Sequence, residues 1–437
     1  MPYPLITSYT DSTGRQLILS NEIRDLLVLD IAGDEFFSPG AMYNGYAVDG
    51  RYYLAGNVTS NPSATWATQT PDAHRGPSNI FPGLAFVVLT DREVSIIDGN
   101  NFTLFLRFTV SEPIPGVPID GIFLEWVADE DHSSFYSALG VYGMSFNEVA
   151  WADGRLVVAT NNGIRVFDFK EDTAYVFHDG GFNGAALLSQ KGLEYRNKPE
   201  YFSATAQTSH IGVTDSRAIA ARTFGNTTYY VASSTLGAAV FFWGNVNFFG
   251  AITNLKHSVL WGTPISFRIA DDGTLYILEE YDPGGGARLR VAKNISEWRN
   301  AGAALFNDTS GISLPLWTGI IGCLTLRGSD VFVGSNVGIW KFPEDLHEYE
   351  LYYGTCDSSI AAPVEPRYDL MTDSGGPTID MSTDPVTGHL GALHGDVLDI
   401  IDVGRNQLSD SYTLTSDPPL PVNCRSLAAY GFATSGV

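Results

Sequence analysis

Three observations predict an all-β fold. Apolar and polar residues alternate at a period of two over many short runs. Asp-Gly and Asn-Gly pairs punctuate those runs where tight hairpin turns need them. One phrase of strand, turn and strand recurs along most of the 437 residues. The composition suits such a fold, with 44% hydrophobic and only 17% charged residues and 45 Gly to supply turns. A chain of that make-up can bury a large core, which excludes disorder as its main state.

The phrase is clearest between Trp151 and Phe169, where Asp153-Gly154 and Asn162-Gly163 join three strands. Variants follow the same plan. Gly45 to Asn57 turns at Asp49-Gly50, Arg222 to Phe242 at Gly225-Asn226 and Gly237, and Ile265 to Leu278 at Asp272-Gly273. Leu324 to Phe342 turns at Gly328-Ser329 and Gly338, and Ile379 to Ile401 at Thr387-Gly388 and Gly395-Asp396. A short meander cannot bury both of its faces alone, so copies must pack on one another. Six or seven copies, spaced by about 40 to 75 residues, predict a β-propeller. We expect seven blades, with six as the rival, because Gly45 to Asn57 and Leu84 to Ile97 read either as one blade or as parts of two.

The two ends predict closure. Ser426 to Val437 matches the first two strands of a repeat, while Leu5 to Tyr9 and Gln16 to Leu19 read as the missing outer two. Strands from both ends would thus share one blade, which removes a sheet edge open to aggregation. The expected organisation is a single domain, 1–437, with insertions at about 59–82, 112–143, 179–210 and 353–376.

The Arg155 to Asp168 phrase resembles the propeller repeats of two-component regulator sensors and related bacterial propeller families. The resemblance implies a propeller fold and no particular activity, since this architecture hosts binding modules, scaffolds and enzymes alike. Where that family carries aromatic residues after the Arg, this chain is mostly aliphatic, and no membrane segment or kinase region follows.

Charge narrows the partners. Lys plus Arg number 25 against 49 Asp plus Glu, a net charge of -24 with no basic stripe to offset it. Such a field repels phosphate backbones and anionic lipids, so neither nucleic acid nor membrane is expected as a partner. The opening residues lack the basic and apolar regions of an export signal, and no apolar run reaches the roughly 18 residues of a membrane span. The expected location is a virion or the cytoplasm. The three cysteines, Cys323, Cys356 and Cys424, are too scattered for a disulfide framework and read as free thiols.

No catalytic, cofactor or metal set emerges from the motifs. The acidic run Glu125 to His132 lacks the ligand spacing and Gly of a calcium loop. His389 and His394 do not have the spacing of a helical metal pair. The Asp-rich turns at Asp271, Asp272 and Asp402 could point carboxylates at a central channel for glycoside chemistry, although turn formation accounts for them equally well. Aromatic residues in the insertions stand out more. Trp66, Phe81, Trp126, Phe135, Tyr136, Tyr195 and Tyr201 sit among polar neighbours outside the repeat, as anchors for another protein or platforms for sugar rings do. The leading expectation is a non-catalytic scaffold in a large assembly, a virion such as a phage tail or appendage, binding other proteins. A carbohydrate-binding propeller and a glycan hydrolase or lyase at the channel mouth are the alternatives.

Overall fold

The computed structural model describes residues 7–10, 16–19, 24–30, 51–56, 84–98, 104–110, 122–126, 134–136, 143–168, 173–178, 181–187, 215–225, 227–234, 237–243, 249–256, 263–281, 286–292, 310–313, 320–335, 338–343, 350–354, 377–394, 397–413 and 426–430. The chain begins with β1 (Thr7–Thr10), β2 (Gln16–Leu19), β3 (Asp25–Asp30) and β4 (Arg51–Gly56). Then come β5 (Leu84–Leu89), β6 (Glu93–Asp98), β7 (Leu104–Val110), β8 (Ile122–Trp126) and β9 (Ser134–Tyr136). The clearest repeat forms β10 (Phe146–Ala152), β11 (Arg155–Thr160) and β12 (Gly163–Asp168), continued by β13 (Thr173–His178) and β14 (Gly181–Leu187).

Four quartets follow. The first is β15 (Ile219–Phe224), β16 (Thr227–Ser234), β17 (Gly237–Trp243) and β18 (Phe249–Lys256). The second is β19 (Thr263–Ile269), β20 (Leu275–Tyr281), β21 (Gly286–Ala292) and β22 (Ser310–Ser313). The third is β23 (Ile320–Arg327), β24 (Asp330–Ser335), β25 (Gly338–Phe342) and β26 (Glu350–Gly354). The fourth is β27 (Thr378–Thr383), β28 (Leu390–His394), β29 (Val397–Asp402) and β30 (Gln407–Thr413), after which β31 (Ser426–Tyr430) completes the series.

These strands make a β-propeller. Each quartet is a meander with its strands in sequence order, and β1, β2, β4 and β31 form a further four-stranded sheet. The two remaining sheets are larger: β10 to β14 make five strands, and β3 with β5 to β9 make six. Among the described residues the regular four-stranded blades therefore number five, which corrects the seven, with six as the rival, expected from the sequence. Segments that read as loop insertions account for the difference, because β8, β9 and β14 pair onto existing sheets instead of leaving them.

Closure takes the expected form with one change. Strand β31 pairs antiparallel with β4, and β4 pairs parallel with β2, so both ends of the sequence share a sheet. Arg51–Gly56 thus sits beside Ser426–Tyr430, the place the sequence reading gave to residues beyond Tyr430, which lie outside the described residues. Arg51–Gly56, from the first of the two ambiguous stretches, and Leu84–Leu89, from the second, consequently belong to different sheets. Strand β31 lies between β27 and β3 and completes a circuit through β3, β10, β15, β19, β23 and β27. Among the described residues no helix is long and apolar enough to cross a membrane.

Local chemistry explains the hairpins. Asp153 and Gly154 both take positive φ, 51° and 72°, as a two-residue hairpin with the strands' own twist demands. The Asp153 carboxylate accepts a hydrogen bond from Arg155 at 2.7 Å, which holds the turn against the next strand. At the following turn a hydroxyl bridges the ends: Thr160 Oγ1 donates to the Gly163 carbonyl at 2.8 Å, and Ser335 Oγ does the same to Gly338 at 2.9 Å. Ser/Thr-x-x-Gly is therefore a structural word of the repeat.

Packing between sheets uses both faces. On β24, Val331 and Val333 join Trp340 and Phe342 against Tyr276, Leu278, Leu289 and Val291 of the preceding sheet. Phe332, between those valines, faces the other way and packs with Met381, Leu390, Ala392 and Ile401 of the following one. Period-two alternation therefore sends side chains into two neighbouring interfaces, so β24 is buried on both faces. Trp340 is fully buried, and its indole N–H donates to Ser335 Oγ at 3.1 Å. The next inter-sheet layer also carries polar groups: the Tyr353 hydroxyl donates to Asp399 Oδ2, and the Tyr353 ring lies 5.1 Å from that of His394.

Gly334 marks the tightest approach. A Cβ there would overlap Cys323 Sγ and press on Thr378 of the adjacent sheet. We expect Gly334→Ala to destabilise the fold by about 1–3 kcal/mol through overpacking, read as a lower urea midpoint at unchanged slope.

Candidate functional site

The innermost strands enclose an axial cavity of about 820 Å³. Three acidic residues stand in its wall, Asp25 on β3, Glu148 on β10 and Asp380 on β27, together with Arg268 on β19. Each acid immediately precedes a buried apolar residue of its strand: Leu26, Val149 and Met381. The alternation that sends those apolar side chains into the blade interfaces places the acids on the other side of the strand.

Each carboxylate reaches the next inner strand. Asp25 Oδ2 accepts from the backbone N–H of Val149 at 3.0 Å, Glu148 Oε2 from Ile219 at 2.6 Å, and Asp380 Oδ2 from Leu427 at 2.7 Å. The second oxygens of Asp25 and Asp380 accept from Leu26 and Met381, at 2.9 and 2.8 Å, and Ser426 Oγ donates to Asp380 at 3.1 Å. Other side chains bridge in the same direction around the ring. Arg24 donates to the Phe146 carbonyl at 2.8 Å, Asn147 to Ser216 at 2.7 Å, Arg222 to Ile269 at 3.2 Å and Arg327 to Gly388 at 2.6 Å. These contacts join successive inner strands where no backbone ladder runs between sheets.

Burial dominates the electrostatics. It raises the Asp25 carboxyl above its ordinary range, opposed by the Val149 amide and by Arg268. Glu148 is pushed up to about 8, first by desolvation and then by the charge of Asp25, with Arg268 acting against both. Asp380 rises to about 6, again first by desolvation, although the Leu427 amide favours its ionised form. Burial likewise holds the Cys323 thiol well above its usual value, so this sulfur is a packed, protonated group whose S–H lies 3.6 Å from the Thr378 carbonyl.

Three of the aromatic candidates lie on the paired strands β8 and β9. Trp126 lies at the end of β8, in register with Leu106, while Phe135 and Tyr136 lie on β9 opposite Phe123 and Ile122. Trp66, Phe81, Tyr195 and Tyr201 lie outside the described residues, as do Cys356 and Cys424. Asp271, Asp272 and Asp402 of the Asp-rich turns do not line the cavity. Asp271 pairs with Arg222, Asp272 binds the Thr274 N–H at 2.9 Å, and Asp402 binds the Arg405 N–H at 3.1 Å. His389 and His394 are buried, His389 with Nε2 3.7 Å from Asp402 and His394 with Nδ1 3.2 Å from Thr378 Oγ1. Among the described residues no group of three His, Cys, Asp or Glu is placed to hold a metal ion.

Sequence reasoning passed over Asp25, Glu148 and Asp380. The signal was present: an acid just before an apolar residue on the first strand of three repeats, in Asp25-Leu26, Glu148-Val149 and Asp380-Met381.

No family model matches the chain, and no curated protein matches it. Solved structures do. Hydrazine synthase of Kuenenia stuttgartiensis is 12% identical with a TM-score of 0.42, covering 83% of this chain and 88% of its own. Apo AztD from Citrobacter koseri is 10% identical with a TM-score of 0.38, covering 79% and 96%. The dihydro-heme d1 dehydrogenase NirN is 13% identical with a TM-score of 0.39, covering 79% and 65%.

If the carboxylates hold the ring, removing one orphans a buried amide. Asp380→Ala should cost about 1–3 kcal/mol in chemical denaturation, and Asp380→Asn, which keeps an acceptor for Leu427, clearly less.

Proposed function

We propose that this chain is a non-catalytic propeller scaffold that holds other proteins of a large assembly, a virion component such as part of a phage tail or appendage. One observation supports the non-catalytic part. The convergent carboxylates at the axis are already engaged with neighbouring backbone: both oxygens of Asp25 and of Asp380 accept amide hydrogen bonds. A glycan hydrolase needs one carboxyl free to donate a proton and a second free to attack or to activate water. Side chains committed to joining blades serve rigidity instead.

The virion reading draws on composition, rich in Gly and aromatic residues and low in Lys and Arg. Partners would meet the insertions, where Trp126 lies on β8 and Phe135 and Tyr136 on β9, the strands added to the six-stranded sheet. The purified chain should turn over no glycan substrate, and electron microscopy of the native source should show it in a particle with the β8–β9 region covered by a neighbour. Hydrolysis that disappears in Glu148→Gln, or a protein recovered free with that region bare, would reject the proposal.

A further inference from the structure

We propose that the axial carboxylates form a proton-controlled clamp, in which ionisation of Glu148 loosens the join between neighbouring blades. The geometry links the acids in series. Asp25 bonds the amide of Val149, and Glu148, the residue before it on the same strand, bonds the amide of Ile219 on the next. A charge on Glu148 is therefore felt at two consecutive joins, from β3 to β10 and from β10 to β15. Asp380 makes the corresponding bond from β27 to β31 at another point of the same cavity.

The charged groups facing this cavity do not balance. Asp25 from β3 and Asp380 from β27 act on Glu148 as like charges, and Arg268 from β19 is the cation that opposes them. Arg222 from β15 lines the cavity but is bonded to the Ile269 carbonyl and paired with Asp271. Cys323 from β23 stays neutral in this field, and β31 contributes Ser426 and Leu427, which carry no charge. Full ionisation sets three carboxylates against one guanidinium. A proton on Glu148 relieves that repulsion without breaking its bond to Ile219, since the carbonyl oxygen of a neutral carboxyl still accepts.

The sign follows from linkage. A carboxyl that the fold holds above its ordinary value of 4.5 binds its proton more tightly in the folded chain. Its stabilising contribution is complete below that ordinary value and is lost as pH rises through about 8. Thermal unfolding of the full chain between about pH 5 and pH 9.5 tests this, alongside infrared titration of the protonated carboxyl stretch. The wild-type midpoint should fall by several degrees across that window. Glu148→Gln, which never ionises and keeps its acceptor, should flatten the fall and be the more stable chain at the alkaline end. In the infrared titration a protonated carboxyl band should persist at neutral pH and decline through about pH 8, and the part that declines there should be missing in Glu148→Gln, which separates it from the raised Asp25 carboxyl. Absence of that band at neutral pH, or an equally steep fall in Glu148→Gln, would overturn the clamp.

Discussion

The structure depends on how the inner edge of each blade satisfies its polar backbone. A sheet's first strand has a neighbour on one side only, so half of its N–H and C=O groups lack a ladder partner. In a ring those groups face the next blade across a gap that no backbone ladder closes, with only isolated bonds such as that from the Phe146 N–H to the Asp91 carbonyl at 2.7 Å among the described residues. Asp25, Glu148 and Asp380 fill it from the acceptor side, while Arg24, Asn147, Arg222 and Arg327 fill it from the donor side. Such hydrogen bonds contribute about 0.5–1.5 kcal/mol each, and more where the side chain is charged, which helps set the spacing of blades that otherwise meet through non-directional apolar contact.

Apolar packing supplies the bulk of the cohesion and polar groups fix its register. Strands such as β24 send alternate side chains to opposite neighbours, which is why Val331, Phe332 and Val333 are all buried although only the first and third share an interface. The blades also bury charge. Glu279 and Arg290 pair at 2.6 Å with almost no exposure, and desolvation lowers the Arg290 guanidinium while Glu279 holds it up. A buried pair of this kind adds little net stability, but breaking one half is expensive, so it disfavours any register of β20 and β21 that separates the two.

Much of the fold was readable in the sequence because turns and alternation are local. Asp153-Gly154 forms its hairpin where expected, both residues at positive φ, whereas the next hairpin turns one residue earlier than expected, at Asn161-Asn162, with Gly163 opening β12. The shared terminal sheet was also readable, since an incomplete repeat at one end asks for its remainder at the other. The blade count failed for a non-local reason. Whether Ile122–Trp126 stays a loop or pairs with Leu104–Val110 depends on an edge being open to receive it, which alternation within the segment does not encode. The axial acids went unread for a related reason. Asp25 and Glu148 lie 123 residues apart, and only the ring makes them successive links of one chain of contacts.

The joining of β31 to β4 has a consequence during synthesis. Until the ribosome has released the stretch around Ser426, the sheet built on Thr7–Thr10 has no axial member, and β27 and β3 flank an unfilled slot. The early strands must wait until the intervening sheets have been synthesised, exposing their edges to any other nascent copy nearby. Completion of this sheet therefore rests on contacts of high sequence separation, which slow translation would not hasten and which crowding among sister polypeptides on one message would endanger.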